Sequence, residues 1–286
     1  MAVTRVIYTQ GSVGLSGLNA GCTWFAGSAI TGAGVVLSGV QSANFTSNSP
    51  KQDVNSFGVL GAINKVQVEP STATMELALV VNSGNGADTW LSGLVADAIR
   101  ATPSGITVTS AGIGQLTQAI LTSFQLEASV GAIPTLNLSF EGISGAYIAA
   151  GTAPTSATSA VVPVSTPDSF GTIYWNGTAS GCPQTVRASW EMPIERINCL
   201  GSPINSPTIF SRPPGTVSFS AEGCDPGMFS STSFVTGVKI GPFRFVASNV
   251  QETTRTSNMA VGEAMSTFNI TSESTALNST VTSNNT

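Results

Sequence analysis

Two stretches of this chain repeat each other in order. Val54–Leu77 aligns with Ile194–Phe219: Leu60-Gly61 on Leu200-Gly201, Ile63-Asn64 on Ile204-Asn205, Pro70 on Pro213, and Thr74–Leu77 on Thr216–Phe219. Further on, Val130-Gly131 falls on Val261-Gly262, Leu136–Ser139 on Phe268–Thr271, and Glu141 on Glu273. Low-complexity Ser/Thr/Gly sequence matches itself easily, so either match alone says little. Two in the same order at related offsets indicate a duplication of a unit of roughly 140 residues, large enough to hold its own core and therefore not a solenoid repeat. Such a chain supplies two neighbouring positions of a ring, and three chains would close a pseudo-sixfold one.

Each unit reads as β. Apolar and polar residues alternate with period two in Val66–Val68, Thr74–Val81, Ile120–Ala128 and Thr135–Phe140. In the last, Leu136, Leu138 and Phe140 share one face and Thr135, Asn137, Ser139 and Glu141 the other, the pattern of a half-buried strand. One segment has helical spacing. In Asp88–Arg100 an apolar stripe of Trp90, Leu91, Leu94, Val95 and Ile99 suits a helix laid on a sheet, with Asp88 as N-cap and Arg100 at the negative end of the dipole. The expected organisation is a first β-domain over 1–150, a Pro-punctuated linker over 151–167, a second β-domain over 168–273, and a frayed Ser/Thr/Asn tail over 274–286.

Composition excludes much chemistry. There is no His, so Ser-His-Asp, Cys-His and His-ligated metal sites are ruled out, and acid–base work near neutral pH loses its usual residue. Charged residues make up 9% of the chain, with 10 Lys and Arg against 15 Asp and Glu and a net charge of −5, which leaves no basic patch for nucleic acid. Carboxylates for glycoside chemistry exist in Asp168, Glu191, Glu195 and Glu222, but no spacing pairs them and aromatics are only 7%. Gly11–Gly21 is Gly-rich without the Lys-Ser/Thr of a phosphate loop and reads as a flexible loop. No catalytic residue, cofactor or metal is expected.

Met1–Gln10 has no apolar signal core, and no run of 18 apolar residues is present, so neither export nor a membrane span is expected. Cys22, Cys182, Cys199 and Cys224 form no CxxC and read as small buried hydrophobes rather than disulfide partners. Sequons such as Asn44-Phe45-Thr46 and Asn269-Ile270-Thr271 are then accidents of composition.

A strand, a polar loop, a Leu-Gly turn and an alternating strand after a Pro, then a helix and a late Val-Gly hairpin, together resemble bacteriophage tail tube proteins. Gln41–Leu60 and Trp190–Leu200 look like that family's long loop before the turn, although Cys224–Pro242 shows no clear helix. The tandem copy resembles long-tailed phages whose major tail protein is duplicated and forms trimeric rings. The resemblance implies a β-sandwich or roll per domain, one sheet facing a channel, and rings stacked through the long loop and termini. It also implies a virion tail protein made in the host cytoplasm that meets other tail proteins (tape measure, tail tip, terminator) and conducts DNA without binding it. A conduit lumen should lack cations that would hold phosphates. Candidates for it are Ser123, Gln125, Glu127, Asn137, Ser139 and Glu141, with Asn249, Gln251, Asn269, Thr271 and Glu273 as the matched set. The same residues would equally make a solvated outer face. Lys51, Asp53, Glu191, Glu195 and Arg196 are the candidates for contacts between subunits, in loops 44–58 and 191–198. Other classes stay open: a capsid decoration, baseplate or fibre component, or a secreted surface-layer or adhesin module.

Overall fold

A computed structural model describes residues 13–16, 35–37, 39–69, 71–81, 87–99, 105–110, 114–142, 148–149, 172–175, 178–180, 183–197, 209–211, 214–223, 234–240, 243–258 and 267–283. The protein is mainly β. The first half carries β1 (Val13–Ser16), β2 (Val35–Leu37), β3 (Val40–Asn48), β4 (Lys51–Val54), β5 (Asn64–Gln67), β6 (Thr72–Val80), helix α1 (Ala87–Ala98), β7 (Ile106–Ser110), β8 (Gly114–Ser129), β9 (Thr135–Gly142) and β10 (Ile148–Ala149). The second carries β11 (Thr172–Trp175), β12 (Thr178–Ser180), β13 (Pro183–Glu191), β14 (Glu195–Ile197), β15 (Ile209–Ser211), β16 (Thr216–Gly223), β17 (Phe234–Ile240), β18 (Phe243–Asn258), β19 (Thr267–Thr275) and β20 (Ser279–Ser283).

All pairings are antiparallel, and those of the first ten strands recur in the second ten. β3·β6·β9·β8 is matched by β13·β16·β19·β18, β2·β1·β7·β8 by β12·β11·β17·β18, β8·β10 by β18·β20, and the separate β4·β5 hairpin by β14·β15. β8 and β18 each serve two sheets. The first part of β8 pairs with β7 and β10, and its second part with β9. β18 divides in the same way between β17 and β20 on one side of the bend and β19 on the other. The bends fall at the positive-φ residues Gln118 (φ 51°) and Asn249 (φ 54°), and an irregular register follows each, at Leu121/Ser123 and at Glu252/Thr254. Extra residues of this kind increase local twist and let a strand leave one sheet for another.

The halves are not separated. β13 pairs with β8 from Thr185↔Ser129 to Glu191↔Ser123, so a main sheet of eight strands runs unbroken in the order β3-β6-β9-β8-β13-β16-β19-β18. Its inner side holds Met75, Leu77, Leu79, Phe124, Leu126, Leu136, Leu138, Phe140, Trp190, Val217 and Phe219. Leu15, Ile106, Val108 and Leu116 from one outer sheet, and Val238, Ile240, Phe245 and Val281 from the other, join them in a single core. Each such side chain contributes about 1.5–3 kcal/mol on leaving water.

Helix α1 starts at Ala87, which puts Asp88 inside the first turn rather than at its cap. Leu91, Leu94 and Val95 are buried and Ile99 partly so, and the helix lies against β8 of its own half and β20 of the other. Asp97, also buried, accepts the Gly105 N–H at 3.1 Å and so ties the end of the helix to the residue before β7.

Two expectations are corrected. The expected tail 274–286 is folded through Ser283: it completes β19, makes a 3-10 turn at Ala276–Asn278, and pairs β20 with β18. Ala276, Ser279 and Val281 are buried there, and residues this small need little apolar bulk to pack. Val13–Ser16, inside the Gly-rich stretch expected as a loop, is β1, paired with β2 and β7. The four cysteines and 151–167 lie outside the described residues.

Gly215, at the entrance to β16, is fixed by lack of space. A Cβ there would stand 2.5 Å from the Glu191 carbonyl oxygen, 2.7 Å from Ala276 Cβ and 3.0 Å from Met192 Sδ. Gly215→Ala is expected to lose about 1–3 kcal/mol through overpacking, seen as a lower urea midpoint with an unchanged slope.

Candidate functional site

Two surfaces stand out: the outer side of the main sheet and the β4–β5 hairpin. The outer side is polar from β6 to β18, because every second residue of a strand returns to the same face. Across it, register sets Glu76, Ser139, Ser123, Glu191 and Thr216 in one row. A second row is Asn137, Gln125, Ser189, Ser218, Glu273 and Gln251. A third is Thr135, Glu127, Arg187, Ser220, Thr271 and Thr254. Glu141 continues this face on β9, opposite Thr74. Glu76, Glu127, Glu141, Glu191, Glu222 and Glu273 give it a negative character, and Arg187 is its one cation among the described residues. Arg187 Nη2 donates to Gln125 Oε1 at 2.7 Å, and Gln125 Nε2 donates to Glu127 Oε2 at 3.0 Å, a chain of bonds across the joint between the halves.

Ser123, Gln125, Glu127, Asn137, Ser139 and Glu141 are therefore brought onto one face, and Thr271, Glu273 and Gln251 share it. Asn269 sits in register between Glu222 and Thr256. Asn249 does not join them: it lies at the bend of β18, outside the β18·β19 pairing. The sequence match also misses the register, since the irregularities at Thr122 and Thr253 make Thr254, Thr256 and Asn258 the counterparts of Ser123, Gln125 and Glu127.

The β4–β5 hairpin has every residue from Lys51 to Val66 exposed. At its root, Gln67 Nε2 donates to the Glu69 carbonyl at 2.9 Å and to Ser71 Oγ at 3.0 Å, and Ser49 and Ser71 share a bond of 2.6 Å. Its tip turns through Gly58 and Gly61 (φ 84° and 93°), a left-handed conformation that a side chain would disfavour. The tip puts Phe57 and Leu60 wholly into solvent at 107% and 105% exposure, with Val59 and Ile63 beside them. Lys51 and Asp53 are on this hairpin, where Asp53 meets Lys65 at 3.4 Å, an exposed pair of small energetic worth. Glu191 instead ends β13 within the sheet, Glu195 opens β14 opposite Ser211, and Arg196 pairs in register with Phe210. Sequence reasoning chose the charges of this loop and missed Phe57 and Leu60. The available signal was large apolar residues in a loop with nothing to bury them.

Among the described residues no group of His, Cys, Asp or Glu could hold a metal, and no helix is long and apolar enough to cross a membrane. None of the curated proteins matches the chain. A family model described as phage tail tube protein matches residues 23–223, more than two thirds of the sequence. That span takes in the polar main sheet as far as β16 and the apolar-tipped hairpin, and the chain belongs to the phage tail tube protein family, a structural component of the virion tail.

Proposed function

We propose that this chain is a tandem duplication, that three copies close into a pseudo-sixfold ring, and that rings stack into the tube through which DNA leaves the capsid. The observation that carries this reading is the β8·β13 joint. It attaches the last main-sheet strand of one half to the first strand of the other, head to tail. A contact of that type repeats until it closes. The ends of the main sheet, β3 and the second part of β18, have a pairing partner on one side only among the described residues, so the sheet can continue into the next chain.

Three chains then give a barrel of about 24 strands, past the 16–18 at which β-barrels hold an aqueous channel. With a strand spacing of about 4.8 Å and a tilt of about 40°, the bore inside the side chains is roughly 35–40 Å, wider than a DNA duplex. The acidic face, turned inward, repels phosphate and leaves the duplex free to slide. No reaction is needed, and the chain acts as a conduit rather than an enzyme. Rings meet through the hairpin tips, and other tail proteins cap the two ends of the tube.

Negative-stain microscopy of purified protein tests the assembly. Stacked hollow rings are expected, whereas monomers or trimers that never stack would indicate a decoration protein. Ser139→Lys with Thr271→Lys tests the bore. Both positions lie on the acidic face, so six added cations per ring should leave tubes intact and slow DNA ejection at low salt, with the delay shrinking as salt screens it. Unchanged ejection through well-formed tubes would turn this face away from the lumen.

A further inference from the structure

The chain carries two apolar tips, at opposite ends of its main sheet. One is the β4–β5 hairpin, whose residues 57–63 (Phe-Gly-Val-Leu-Gly-Ala-Ile) include no polar side chain. The other is the turn from β8 into β9, where Val130, Gly131, Ala132 and Ile133 follow one another, all exposed, Val130 to 74% and Ile133 to 56%. Register fixes their places. Asn48↔Thr72 brings the hairpin out at the start of β6, whereas Val80↔Thr135 and Glu127↔Thr135 set the turn at its end. The nine residues of β6 lie between them, about 27 Å along the strand.

The turn is firmly held. The Val130 N–H donates to the Gln184 carbonyl at 2.9 Å, the Ala132 N–H to the Ser129 carbonyl at 3.1 Å and the Val81 N–H to the Pro134 carbonyl at 2.9 Å, which ties it to β13 and to the end of β6. Gly131 closes it in the left-handed conformation (φ 83°). Turn chemistry accounts for that glycine, but favours Asn, Asp or Ser beside it rather than Val and Ile. Apolar side chains kept in water on a fixed frame mark a contact surface.

We propose that the β8–β9 turn is the seat of the hairpin: Val130 and Ile133 of a chain in one ring receive Phe57 and Leu60 of a chain in the next. This rests on the ring reading above and adds what the hairpin tip meets. A stack grows only if the two ends of a ring differ and fit each other, a head-to-tail contact. Of the other large apolar side chains exposed among the described residues, Val235 lies in an outer sheet, and Leu277 sits in the 3-10 turn beside Gly215, at the hairpin end of the main sheet. The first half of each chain supplies one tip of each kind, so three hairpins meet three turns and none of these tips stays in water along the tube. Neither tip is charged, so the contact survives salt that would loosen ion pairs.

Complementation between rings tests it. Val130→Asp with Ile133→Asp should close into rings that do not stack, with an unchanged urea midpoint, since both side chains are exposed in the single chain. Phe57→Asp with Leu60→Asp damages the opposite end. Mixed after each has formed rings, the two should give paired rings and nothing longer: the sound hairpins of the first seat on the sound turns of the second, and both outer ends are then blocked. Sedimentation and side views in negative stain read the pairs. Tubes of ordinary length from the Val130/Ile133 variant alone would overturn the seat and leave the ring reading standing. Mixed rings that stay single would overturn it as well, because the two tips then do not meet each other. Wild-type protein that forms no rings would overturn both readings. If the aspartates prevent folding, Val130→Ser with Ile133→Ser removes the apolar bulk without adding charge, and should raise the ring concentration needed for tube growth by about tenfold or more. Growth of that variant at the wild-type concentration would also overturn the seat.

Discussion

Phe57→Asp combined with Leu60→Asp is expected to yield a chain that folds and closes into rings but builds no tube. Both side chains are wholly exposed in the single chain, so their loss changes folding stability by no more than about 0.5 kcal/mol. Between stacked rings they would be buried, each contributing about 1.5–3 kcal/mol. With two such side chains on each of three hairpins, a ring-to-ring contact forfeits on the order of 10 kcal/mol, before the penalty of desolvating the new carboxylates. Sedimentation should show one ring-sized species in place of long polymers, with an unchanged urea midpoint. Tubes of ordinary length would rule out the hairpin tip as the stacking surface.

Trp190→Ala carries the largest expected loss of folding stability. Trp190 is fully buried in β13 and stacks on Phe124 across the joint of the halves. Phe124 meets Phe245 edge-on at 4.9 Å, and Phe245 meets Phe219 at 5.4 Å, so one aromatic cluster ties main sheet to outer sheet. Truncating such a side chain costs about 3–5 kcal/mol, a large part of the 5–15 kcal/mol typical of a whole domain. Trp190→Phe should cost less than half as much. It keeps the stack and removes a buried indole N–H that has no partner among the described residues. Urea unfolding followed by far-UV circular dichroism measures both. Equal losses for the two variants would locate the cost elsewhere than the stack.

The sequence made some of this fold readable for a physical reason. Strands with one dry and one wet face must alternate, so β6, β9 and the second part of β8 could be read directly, along with the polarity of the sheet's outer side. The amphipathic stripe of α1 was equally open, because Leu91, Leu94 and Val95 do face the core. The bends of β8 and β18 leave no such trace: Gln118 and Asn249 adopt positive φ with no glycine or proline to mark them. β20 is hidden by composition, since a strand that buries Ser279 and Val281 looks like any Ser/Thr-rich tail. The register of β18 was obscured at the places where Glu252 and Arg255 stand in for Leu121 and Phe124, which deletes the hydrophobic pattern a matching would follow.

Because β8 and β18 each pass from the main sheet into an outer sheet without a break in the backbone, the two layers are covalently riveted twice in every chain. Shear of one layer over the other must therefore rotate the backbone torsions at the bends around Gln118 and Asn249 rather than slide across a free interface. In the proposed tube, a push on the lumenal sheet would be delivered as load to the outer sheets of the same chain, and the wall would resist internal pressure as a laminate rather than as a single skin.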